Sequence, residues 1–87
     1  DMSVFVDFLD SLPKRNAIAV GHMLHQLSED DAGFIEDYLI SGAAIPGNII
    51  ARINQAFKDS GYPQMTWETC QIDTSGMRFD GWLDEIE

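Results

Sequence analysis

Eighty-seven residues carry fifteen acids against five bases, a formal net charge of −10. That length limits the chain to one small domain, and the hydrophobic fraction of 45% suits a packed core over a disordered tail. The charge disfavours a nucleic-acid backbone as partner, because phosphate binding needs clustered cations to displace counterions.

A single cysteine, Cys70, allows no internal disulfide and no four-cysteine zinc site, which suits a reducing compartment and a cytoplasmic setting. No apolar run approaches the about 18 residues of a membrane span, and no signal peptide is visible. Met2 reads as the natural start, with Asp1 an added residue ahead of it.

The first predicted helix covers "MSVFVDFLDSL", with Ser3 as cap and Val4, Phe5, Phe8, Leu9 and Leu12 at helical spacing. Pro13 disfavours helical geometry at Leu12 and suits the first turn of a new helix, with Ser11 or Leu12 as its cap. That second helix runs from about Lys14 to Leu27, with an apolar stripe of Ile18, Val20, Met23, Leu24 and Leu27. Gly21 in its middle costs about 1 kcal/mol against alanine, which a close helix crossing would explain.

Ser28 caps the third helix, Glu29 to Ile40, and "SEDD" loads its first turn with negative charge. Phe34, Ile35, Tyr38 and Leu39 are its expected inner face, and Gly42 its left-handed terminator. Pro46 opens a fourth helix with Ile49, Ile50, Ile53, Ala56 and Phe57 inward, closed by Ser60-Gly61. Beyond a "YPQ" turn, Thr66 caps a short helix burying Trp67 and Cys70, with Ile72 a further candidate; a short strand is the competing assignment. "DTSG" is a loop, and "FDGWLDEIE" places Phe79, Trp82, Leu83 and Ile86 on one side of a final turn or helix that Gly81 weakens. The expected fold is all-α: one domain over residues 1–87, a compact bundle of four to five short helices.

The stretch "AIPGNIIARINQAFKDSGYPQMTWETCQI", residues 44–72, resembles the helix-turn-helix core of small phage and mobile-element regulators. The likeness rests on the Ile49/Ile50/Ile53 stripe, the terminating Gly61 and "TWETC" opening a second helix. It implies a helix-turn-helix-like pair. Such regulators usually set basic or amide side chains along the second helix, where base edges and phosphates lie. Here those positions hold Glu68, Gln71 and Asp73, and direct nucleic-acid binding is not expected.

Other motifs lead nowhere. His22 and His25, three apart with Glu29 four further on, have a spacing some metal sites use, yet two helix-surface histidines beside a cap are the simpler reading. No metal and no cofactor are expected. "DSL" at Asp10–Leu12 resembles the attachment motif of acyl carrier proteins, but the chain that should precede it is missing and Pro13 follows, so Ser11 is read as a cap. Cys70 lacks a nearby base and lies among acids, which makes it a small buried residue and not a nucleophile. Catalytic residues: none; the chain is not expected to be an enzyme.

What remains is the acidity. Glu29, Asp30, Asp31, Glu36 and Asp37 fall within nine residues without a base, and Asp80, Asp84, Glu85 and Glu87 crowd the C-terminal end. Self-repulsion on so small a domain weakens folding, so the charge calls for a benefit elsewhere. The expectation is a small acidic binding protein that docks on a basic surface, itself that of a nucleic-acid-binding protein, and inhibits or regulates it. Small phage-encoded inhibitors of host defence or transcription systems have this composition. The first candidate patch is Glu29, Asp30, Asp31, Glu36 and Asp37; the second is Glu68, Asp73, Asp80 and Asp84. Aromatic residues of the last third, Trp82 foremost, would anchor the contact. Two alternatives stand beside this: an oligomeric nucleic-acid regulator gathering Lys14, Arg15, Arg52 and Lys58, and a non-catalytic accessory subunit held by apolar surface.

Overall fold

The computed structural model describes residues 3–72. Four α-helices follow in order: α1 (Ser3–Asp10), α2 (Lys14–Gln26), α3 (Glu29–Ser41) and α4 (Gly47–Asp59). A 3-10 turn, Thr69–Gln71, comes last. The architecture is an all-α bundle, and among the described residues no helix is long and apolar enough to cross a membrane.

The breaks between helices follow local chemistry. Pro13 and Pro46, both extended (ψ 143 and 149), stand immediately before α2 and α4, where a missing N–H costs nothing. Ser28 accepts the Asp31 amide at 3.2 Å and so caps α3. Gly42 closes that helix in the left-handed region, φ 77, with its amide on the Tyr38 carbonyl at 2.8 Å. Ser11 is not the cap expected for α2: its hydroxyl donates back to the Phe8 carbonyl at 2.6 Å and finishes α1 instead.

α2 and α4 form the most extensive helix pair, and α1 lies across α2 and α3. The core joins Ala19, Val20 and Met23 of α2, Ile35 of α3, and Ile49, Ile53, Ala56 and Phe57 of α4 to Met65, Trp67 and Cys70 beyond them. α1 buries no residue fully; it lays Phe5, Phe8 and Leu9 on this core as a cover. Two expected core residues are outside it. Ile18 is 50% exposed and Phe34 38% exposed, because Ala19 and Ile35, one position on in each helix, take the inward direction. Nor is Gly21 a close crossing point: a Cβ there meets nothing within 4 Å among the described residues.

Residues 65–72 are a strap and not a second helix. Thr66 and Thr69 cap one another: the Thr69 amide donates to Thr66 Oγ1 at 3.2 Å and the Thr66 amide to Thr69 Oγ1 at 3.0 Å. One turn forms, and then side chains from elsewhere claim the backbone. Asn54 Oδ1 accepts the Trp67 amide at 2.9 Å. Asn16 Nδ2 donates to the Cys70 carbonyl at 3.0 Å and the Ile72 carbonyl at 2.8 Å. These bonds hold Ile72 extended (φ −108, ψ 138) and leave it 53% exposed. The second member of the helix-turn-helix-like pair is thus a three-residue turn, and no strand occurs here.

Trp67 is the centre of the strap. Its ring lies 5.9 Å from that of Phe8 and meets Tyr38 edge-on at 5.6 Å, so its side chain ties α1 to α3, while its backbone amide on Asn54 adds α4. Gln71, expected on an exposed helix face, accepts from Tyr38 Oη at 3.2 Å and donates to the Trp67 carbonyl at 2.9 Å.

The acidic outer face of α3

α3 divides its carboxylates between two faces. Asp31, Ile35 and Tyr38 run down the inner side at steps of four and three residues. Two outer rows, Glu29–Gly33–Glu36 and Asp30–Phe34–Asp37, repeat the same spacing and line a shallow depression of about 520 Å³.

Asp31 therefore leaves the predicted patch. It is buried, and Arg52 of α4 grips it in a two-pronged ion pair, Nε to Oδ2 at 2.8 Å and Nη2 to Oδ1 at 3.0 Å. The Arg52 hydrogen bond, aided by its charge and by Ser28 and opposed by burial, holds the Asp31 carboxyl below its ordinary range. The same bond raises the Arg52 guanidinium. This pair fixes α3 to α4 and occupies one of the four bases grouped in the nucleic-acid alternative. Because it removes one charge of each sign, the net −10 is unchanged on the remaining surface.

Glu29, Asp30, Glu36 and Asp37 are brought together; Glu68 is exposed on the strap, outside this depression. Asp73, Asp80, Trp82 and Asp84 lie outside the described residues, as do the "DTSG" loop and the final helix. Phe34 is the functional candidate that sequence reasoning missed. It sits four residues after Asp30 and three before Asp37, within the acidic row itself, and that register was the signal. Ile40, 68% exposed, continues the Glu29–Gly33–Glu36 row, four residues after Glu36.

The remaining reactive side chains offer little chemistry. Cys70 is fully buried, its Sγ directed at the Trp67 carbonyl at 3.2 Å, and burial pushes its thiol up to about 12. His22 and His25 are exposed, His22 lying 5.8 Å from the Tyr62 ring. Among the described residues no group of three or more His, Cys, Asp or Glu side chains is arranged to hold a metal ion.

Compared with known families, curated proteins and solved structures, the chain matches no family model, no curated protein and no solved structure.

Proposed function

We propose that this is a small acidic binding protein that docks through the outer face of α3 on a basic protein surface and inhibits or regulates its target. The observation that carries the reading is the exposed Phe34 ring set among Glu29, Asp30, Glu36 and Asp37. An apolar anchor supplies burial at the centre of a contact, and the charged rim steers the encounter and selects the partner. Solubility alone has no use for the aromatic ring.

A nucleic-acid-binding target fits the spacing. The Glu29/Asp30 and Glu36/Asp37 pairs stand about 10 Å apart along the helix axis, at 1.5 Å per residue. That matches about three phosphate steps of a DNA strand measured along its axis. Two rigid pairs of carboxylates so placed can occupy cations meant for a phosphate backbone. A phage-encoded inhibitor of host defence or transcription machinery is the setting this suits.

The test is capture from the native host lysate, comparing the wild-type chain with Phe34→Ala and with a fourfold reversal of Glu29, Asp30, Glu36 and Asp37 to lysine. The expected partner is basic, is displaced by duplex DNA, is released at about 0.5 M salt, and is lost with both variants. An acidic partner, or equal capture by the reversed protein, overturns the reading. A shift of random duplex DNA by the protein alone at low salt would favour direct nucleic-acid contact instead.

A further inference from the structure

A second surface feature has the opposite sign. α2 opens with Lys14 and Arg15, the only adjacent bases in the chain. Together with Ile18, which is half exposed, and Tyr62 they line a groove of about 350 Å³. Neither Lys14 nor Arg15 is paired with a carboxylate among the described residues.

The order of side chains along the two helices indicates an occupant. Lys14, Ile18 and His22 follow one another at steps of four on one face of α2, and the His22 ring lies 5.8 Å from that of Tyr62. Cation, apolar patch and imidazole therefore succeed one another at about 6 Å per step. On α3 the outer row Asp30–Phe34–Asp37 runs acid, aromatic ring, acid at steps of four and three residues, or about 6 and 5 Å. The rows agree in length and are complementary in order. With the Phe34 ring on Ile18 and Tyr62, one carboxylate reaches Lys14 and Arg15 and the other reaches the His22 ring. Both rows lie on fixed outer faces of one bundle, so a chain cannot bring its own two together.

We propose that a second copy of this chain seats its Asp30–Phe34–Asp37 row in the Lys14–Arg15–Ile18–Tyr62 groove. Repulsion between the two acidic bodies is screened beyond about 8 Å at physiological salt, whereas the matched groups meet inside that distance. The contact joins unlike patches, so two copies either exchange both or leave one of each open to a third. A chain docked in this way has its α3 face covered, and a target must displace the second copy to reach it. The inference shares that face with the reading above but not its target. Because the test contains no target, the two can fail separately.

Sedimentation equilibrium of the full-length chain at about 0.15 M salt tests it, with helical circular dichroism to verify that each variant is folded. The mean mass of the wild-type chain should rise above that of one chain as concentration approaches about 1 mM. Lys14→Glu with Arg15→Glu should stay monomeric, as should Asp30→Lys with Asp37→Lys, and the chain carrying all four changes should associate again. Phe34→Ala should abolish association without altering charge. Net charge alone gives a different ranking: the Asp30→Lys, Asp37→Lys chain, the least negative of these, would associate most. In the wild-type chain, amide shifts on concentration should centre on Lys14, Arg15, Ile18, Tyr62 and the Asp30–Asp37 turns. A wild-type chain that remains monomeric, association of the Asp30→Lys, Asp37→Lys chain at or above the wild-type level, or shifts centred elsewhere overturns the proposal.

Discussion

Replacing Asn16 by alanine should loosen the strap before anything else. Asn16 is 1% exposed, and its amide donates to two carbonyls that α2 has no other means of reaching. Each bond contributes about 1 kcal/mol net. The Ile72 carbonyl, on a half-exposed residue, can exchange its partner for water. The Cys70 carbonyl, on a residue with no exposure, is left without a donor and adds a desolvation cost of about 1 kcal/mol. The sum is about 3 kcal/mol, which for a domain of this size lowers Tm by roughly 10–20 °C. Urea unfolding gives the magnitude. Hydrogen exchange gives the place: the Cys70 and Ile72 amides, bonded to the Thr66 and Thr69 carbonyls, should lose protection beyond the global loss. A destabilisation under about 0.5 kcal/mol, or exchange that rises uniformly over the chain, would refute the view that Asn16 is what seats the strap.

Three further outcomes follow from the same geometry. Because Asp31 titrates lower in the folded chain than in the unfolded one, unfolding takes up a proton. Its contribution is complete above the ordinary carboxylate value and is lost as pH falls through the folded-state value; urea midpoints from neutral to acid pH should show this, with a smaller acid loss in Asp31→Asn. Gly21→Ala should stabilise by about 1 kcal/mol, since a methyl meets nothing there, whereas Gly42→Ala, at φ 77, should destabilise by about 1 kcal/mol; thermal melts of the two should move in opposite directions. The Cys70 thiol, raised to about 12, should be inert to thiol reagents at neutral pH in the native protein and react fully in denaturant, and rapid native labelling would place it outside the core.

The helices were legible because their ends are written in single residues. Pro13, Ser28, Gly42, Pro46 and Gly61 each impose a backbone state that few neighbours can override. Which apolar residue faces inward was less legible. At Ile18 and Phe34 two adjacent apolar residues compete for one inward direction, and periodicity does not rank them. The Asp31–Arg52 pair joins positions 21 apart, so nothing local distinguishes Asp31 from the acids beside it. The strap was misread as helix for a related reason. Thr66 and Thr69 can start a helix, but Asn16, 54 residues upstream of Cys70, and Asn54 decide where it stops. Long-range polar contacts of this kind leave no trace in a sliding window.

The strap also sets an order of assembly during synthesis. When the ribosome has released only α1 to α4, the hydrophobic centre still lacks Met65, Trp67 and Cys70, and Asn16 and Asn54 have no strap backbone to hold. The nascent bundle stays open and prone to stick until the last of these three residues emerges, so translation pauses upstream of codon 65 would prolong its most vulnerable state.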